Sequence, residues 1–120
     1  MANPSTTGPS GIGSEVLRRV WKKGNNDHQN VITVGTDMIV TLLSLVIVNN
    51  TVNDNQNMNF YILPDGGTAQ YLYIGDGNFM SYQTFVFSDK VVMTETDVLK
   101  VHSSATTFDV WCSYIEQEFA

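Results

Sequence analysis

The chain has one cysteine, Cys112, so no disulfide can close within it and its fold cannot depend on oxidation. Two histidines, His28 and His102, are its whole supply of imidazole. With that single thiol they form neither C-x-x-C nor H-x-x-x-H spacing, which leaves no zinc motif. Cations are scarce, six Lys and Arg against twelve Asp and Glu. No apolar run approaches the roughly 20 residues that a membrane-spanning helix needs. Residues 1–13 are rich in Pro, Gly, Ser and Thr and lack the apolar core of a secretory signal. These absences predict a soluble chain with no cofactor, no metal, no membrane partner and no nucleic-acid partner.

The few cations are unevenly placed. Residues 1–30 carry a net charge of +2, through Arg18, Arg19, Lys22 and Lys23, and residues 31–120 carry −8. An acidic body repels nucleic acid and anionic membranes. Four cations are few for a phosphate-binding surface and suit docking on an acidic protein, including the body of a sister subunit.

The most apolar stretch is 38–48, MIVTLLSLVIV, without charge, Gly or Pro. Its β-branched residues are stiff at χ1 and favour a pleated strand. Strict alternation puts Ile39, Thr41, Leu43, Leu45 and Ile47 on one face, and Met38, Val40, Leu42, Ser44, Val46 and Val48 on the other. Both faces are largely apolar, so both call for cover. One fits the core of the domain. The other fits a neighbouring subunit or the N-terminal arm, unless the strand is buried wholly within one domain.

Around that stretch, short apolar runs alternate with turn residues. Strands are expected at 31–34, 38–49, 58–63, 70–74, 83–87, 90–93, 98–102 and 108–117. Gly, Asn and Asp in the connections tolerate positive φ or form Asx turns, and Gly75-Asp76-Gly77-Asn78 reads as one such turn. With no βαβ alternation, the pattern predicts an all-β fold. The expected form is an antiparallel, jelly-roll-like β-sandwich of about eight short strands over residues 31–120. The last strand places Phe108, Val110, Cys112 and Tyr114 inward. Trp111 then falls on the opposite face, where an interface would explain it.

Residues 1–30 are expected to form an arm and anchor. Within them 14–24 suits a short helix, with Ser14 as N-cap and Gly24 as stop, and a strand is the other option. As a helix it gathers Val16, Leu17, Val20 and Trp21 on one face and Arg18, Arg19, Lys22 and Lys23 on the other. Such a helix either closes one end of its own domain or plugs into a partner. In the second case those eight residues, with Trp111, form the partner-binding set.

No catalytic constellation emerges. Cys112 is expected inward with no cation to activate it, and His102 is expected on an exposed strand position. Asp65, Asp76, Asp89 and Asp97 sit in expected turns, without EF-hand spacing, where capping is the ordinary role of a carboxylate. The aromatics Phe60, Tyr61, Tyr71, Tyr73, Phe79 and Tyr82 suit cross-strand packing better than a sugar platform.

Several stretches resemble small β-sandwich virion proteins of tailed bacteriophages, especially phages of marine cyanobacteria. These are VITV at 31–34, IVTLLSLVIVNNT at 39–51, FYILPDGGTA at 60–69, TFVFSDKVVMTETDVLKV at 84–101 and FDVWCSYIE at 108–116. GSEVLRRV at 13–20 resembles the lead-in of such proteins. One departure is Thr96, where such proteins usually carry Gly before the Asp. The resemblance implies a noncatalytic structural role in the virion, as a capsid decoration, neck or tail accessory. It supplies no catalytic residues. Together with the uneven chain and the two-faced apolar strand, it leads to the expectation of a homo-oligomer with other virion proteins as partners. The alternative expectation is a carbohydrate- or host-receptor-binding module using exposed tyrosines.

Overall fold

The structure is a computed structural model and describes residues 13–24, 28–50, 56–66, 72–103 and 108–119. Its strands are β1 (Glu15–Gly24), β2 (Gln29–Thr33), β3 (Met38–Asn49), β4 (Gln56–Leu63), β5 (Leu72–Phe79), β6 (Thr84–Phe87), β7 (Val91–Thr94), β8 (Val98–Ser103) and β9 (Phe108–Glu118). A 3-10 turn at Pro64–Gly66 is the one helical element among the described residues.

Two antiparallel sheets pack face to face. The first has the order β1-β9-β3-β6, with β7 also paired to β3, and the second has the order β2-β8-β4-β5. The pairing is nested: β1 with β9, β2 with β8, β3 with β6 and β7, and β4 with β5. This is one long hairpin, its tip between β4 and β5, rolled so that along each arm the strands alternate between sheets once β6 and β7 are counted together. β6 covers Leu45 to Val48 and β7 covers Ile39 to Leu42, so together they act as one broken edge strand. Counted that way the roll has eight strands, the jelly-roll form of the sandwich.

The inner faces make the core. β9 contributes Phe108, Val110, Cys112 and Tyr114, the alternation expected from sequence. β8 contributes Leu99 and Val101, and β4 contributes Met58, Phe60 and Ile62. Phe60 on β4 meets Phe85 on β6 with ring centroids 4.7 Å apart, and Phe79 meets the same ring at 5.9 Å, so aromatic contacts join the two sheets.

In β3 the strict alternation fails. A β-bulge between Leu42 and Ser44 opposite β9 resets the phase. Val40, Leu42, Leu45, Ile47 and Asn49 therefore point inward, and Leu43 and Leu45 do not share the face that period two gave them. Asn49 is fully buried and satisfied. Its Nδ2 donates to the Phe79 and Met80 carbonyls at 3.1 and 3.2 Å. Its backbone accepts from Tyr82 N at 2.7 Å and donates to Gln83 O at 3.1 Å. This buried amide fixes the β5–β6 connection to β3.

Three sequence expectations need correction. Residues 14–24 form no helix: Glu15–Gly24 is an edge strand in full register with β9, from Glu15 opposite Gln117 to Gly24 opposite Phe108. β9 offers an unpaired edge, and ladder hydrogen bonds outweigh the weak helical preference of so short a segment. The sandwich therefore takes in much of what was expected to be a separate arm, and β2 also starts at Gln29. Gly75-Asp76-Gly77-Asn78 is not a turn but part of β5, paired to β4 across a bulge at Phe60/Tyr61.

Thr96 is held at φ 72° in the β7–β8 turn. A β-branched residue pays for that left-handed conformation, whereas Gly does not. Thr96→Gly is expected to stabilise the chain by about 1 kcal/mol, the strain relieved less the added unfolded-state entropy. A higher denaturant midpoint at unchanged slope is the expected reading.

Candidate interaction surface

The outer face of the first sheet gathers most of the residues of interest. Register aligns Trp21 with Trp111, Trp111 with Val46, and Val46 with Val86. These four side chains form one row across the whole width of the sheet. Three are exposed: Trp21 at 54 %, Trp111 at 46 % and Val86 at 58 %. A second row runs Leu17, Ile115, Thr41, Val92, with Val92 at 62 % exposed. Between the rows lies a hollow of about 350 Å³ lined by Leu17, Arg18, Arg19, Leu43, Trp111 and Ser113. The β3 bulge puts Leu43 beside that hollow. The charged residues of this face stand on β1 and β9, as Glu15, Arg19, Lys23 and Asp109, and β3, β6 and β7 carry none.

The candidate partner-binding residues divide by strand alternation, not by helical face. Leu17, Arg19 and Trp21 share the outer side of β1 and join Trp111 there. Val16 is buried, and Val20 packs on the core. The cations do not form one free row. The Arg18 guanidinium pairs with Glu116 of the same chain at 3.0 Å. Arg19 lies over the Trp111 ring, 4.8 Å from its centroid. Lys23 Nζ is 3.4 Å from Asp109 Oδ1, and Asn50 Nδ2 donates to the other oxygen of that carboxylate. Lys22 is exposed. The exposed Lys23–Asp109 pair adds little to stability, while Arg18–Glu116 is part-buried, and both join β1 to β9. Charged residues on an edge strand also discourage uncontrolled pairing with other chains.

Other candidates resolve individually. Asp97 is a cap, its two oxygens accepting from Thr94 N and Asp65 N, each at 2.9 Å. Of the aromatics considered as a sugar platform, Phe60, Tyr61 and Phe79 are buried and Tyr82 is exposed. The side chains of Tyr71 and Tyr73 lie outside the described residues. His102 is not simply an exposed strand residue: it stacks on His28, ring centroids 3.9 Å apart. This pairing was hidden in the sequence, because it depends on the β2–β8 register. Among the described residues no group of three or more His, Cys, Asp or Glu converges as a metal cluster.

Cys112 is fully buried, and burial pushes its thiol from an ordinary 9.0 up to about 12. Burial also raises the Tyr114 phenol. Both groups are neutral when protonated, so the folded state binds protons that the unfolded state releases. The stability they support is complete below pH 9 and falls as pH rises toward 12, for Cys112 by at most about 1.4 kcal/mol per unit. Urea midpoints between pH 7 and 11 are expected to show this loss, and Cys112→Val is expected to flatten it.

No family model and no characterised sequence matches the chain. Among solved structures, a protein of Bacillus endospore appendages, described as a family of disulfide-linked pili, superposes with a TM-score of 0.51 at 11 % identity. The match covers 97 % of this chain and 98 % of that one. The likeness is one of fold. Over nearly its full length the chain has the fold of that protein.

Proposed function

We propose that the chain is a noncatalytic structural protein of a tailed-bacteriophage virion, a capsid decoration, neck or tail accessory. In this reading it oligomerises through the outer face of its first sheet and contacts other virion proteins with the aid of residues 1–12. The observation that carries the assembly role is the Trp21–Trp111–Val46–Val86 row, an apolar stripe across β1, β9, β3 and β6. Fully desolvated Trp and Arg are the residue types that dominate association energies, and Arg19 stands on Trp111. The appendage protein supports the reading by its fold and by its described place in a pilus. Disulfide linkage does not carry over, because Cys112 is buried within the core. The virion setting rests on the sequence resemblance.

A carbohydrate- or host-receptor-binding module is the alternative. Its platform would be Tyr71, Tyr73 or Tyr82, of which Tyr82 is exposed and the side chains of the other two lie outside the described residues.

Removing residues 1–24 would take β1 from the sheet, so the informative truncation is 1–12. That truncation is expected to melt as the full chain does and to be missing from purified particles. Normal incorporation overturns the role given to 1–12. A glycan array bound at low protein concentration favours the alternative.

A further inference from the structure

We propose that copies of this chain join side by side through their first sheets, the β1 edge of one copy pairing with the broken β6–β7 edge of the next. The inference rests on the assembly role proposed above and adds to it a second contact, at the sheet edges and not on the outer face. β1 and the β6–β7 pair end the first sheet, and among the described residues neither pairs with a further strand. Such edges present unpaired N–H and C=O groups to another chain. β1 is ten residues long and runs along β9 without a bulge. Pairing two β1 edges would gather four cations from each copy at one seam, against one glutamate each. The other edge of the sheet fits better, since its charges, Asp89 and Lys90, stand only in the break between β6 and β7. Every neighbour in the sheet is antiparallel, so β1 runs opposite to β6 and β7. A copy displaced sideways therefore meets its neighbour as an antiparallel strand.

Backbone phase and side chains select the same register. Glu118 N donates to Ser14 O, so by alternation the even-numbered residues of β1 bond to β9. Leu17, Arg19, Trp21 and Lys23 then turn their N–H and C=O groups outward. On the other edge Asn49 N donates to Gln83 O, so Ile47 and Leu45 bond to Phe85 and Phe87, and Thr84 and Val86 turn outward. In β7, Thr94 N turns away from β3 to Asp97, which sets Val92 outward too. The two apolar rows of the outer face start at Trp21 and Leu17 on β1 and end at Val86 and Val92. Laid side by side without stagger, Trp21 of one copy meets Val86 of the next and Leu17 meets Val92, each pair with its free main-chain groups face to face. The same register sets Val20 against Phe87 and Val16 against Met93. Every apolar side chain of β1 thus finds an apolar partner. Arg19 falls opposite the break that holds the exposed carboxylate of Asp89. Head-to-tail pairing of this kind closes into a ring or runs on as a filament, with the apolar rows continuous from copy to copy.

A single paired strand is a weak contact, so the test traps it chemically. In this register Lys23 of one copy stands opposite Thr84 of the next, and both are exposed. Two full-length chains, one with Lys23→Cys and one with Thr84→Cys, are mixed at high concentration and treated with a short bismaleimide. The buried Cys112 does not compete. A cross-linked heterodimer is expected from the mixture and from neither variant alone, because head-to-tail pairing brings position 23 only to position 84. Val92→Pro, added to the Thr84→Cys chain, removes an outward N–H that the lone subunit does not use. It is expected to lower the yield about tenfold with little change in the melting temperature of the dilute chain. Asp89→Lys, which sets a cation before Arg19, is expected to lower the yield as well. With Trp111→Glu in both chains the cross-link is expected to persist, which separates the edge contact from the face contact. No cross-link in the mixture, or equal cross-linking of each variant alone, overturns the edge pairing and leaves the outer-face reading standing if Trp111→Glu still disperses the native assembly. A folded Val92→Pro chain with undiminished yield overturns it too.

Discussion

Trp111→Glu is expected to leave a folded chain that no longer self-associates. Trp111 is half exposed in the single subunit, so the fold draws little from its outer surface. Within the subunit the change forfeits chiefly the Arg19 cation–π contact, worth about 0.5–1 kcal/mol at an exposed site. A carboxylate beside that guanidinium recovers part of the loss. At a buried interface the balance is different. A central Trp typically contributes 2 kcal/mol or more, about a 30-fold change in affinity, and a buried unpaired carboxylate adds a further penalty. Sedimentation velocity is expected to show the variant as a monomer at concentrations where the native chain is larger, with melting temperatures that nearly coincide. Trp21→Glu, one position along the same row, is expected to act in the same direction.

Phe60→Ala carries the largest expected cost to folding. The ring is fully buried on β4 and meets Phe85 across the sandwich, while Phe79 closes on Phe85 from β5. Truncation removes the transfer energy of the ring and leaves a void that two twisted sheets collapse only in part. The expected loss is about 3–5 kcal/mol, against total stabilities of about 5–15 kcal/mol for domains in general. A urea titration is expected to show the midpoint lowered accordingly. A loss below about 1 kcal/mol would mean that the aromatic contact does not hold the sheets together.

The limits of the sequence reading lie where tertiary pairing decides. β9 was legible because Phe108, Val110, Cys112 and Tyr114 alternate cleanly with polar residues and Trp111. β3 was legible in extent, Met38 to Asn49, because nothing in it breaks a strand. Its bulge was not, since Leu42, Leu43 and Ser44 differ little in propensity and only the partner strand reveals the extra residue. β1 misled because its Val, Leu and Trp positions fit a helical stripe as well as a strand. The open edge of β9 chose between them. Gly75 and Gly77 look like a turn in isolation, but the ladder to β4 extends through them. Thr96 was visible as a departure from a glycine position, and its positive φ gives that departure a physical meaning. The His28–His102 stack could not be read at all, because it arises from the register of two strands distant in sequence.

The central claim, that the outer face of the first sheet is covered in the working assembly, has a built-in probe. The chain holds two tryptophans, and both lie on that face. Acrylamide quenching of tryptophan fluorescence, followed as the protein is concentrated or assembled, reads their exposure directly. The account predicts ready quenching of the dilute chain and strong protection of both indoles once assembly is complete. Indoles that remain as quenchable in the assembled particle as in the dilute chain would contradict it.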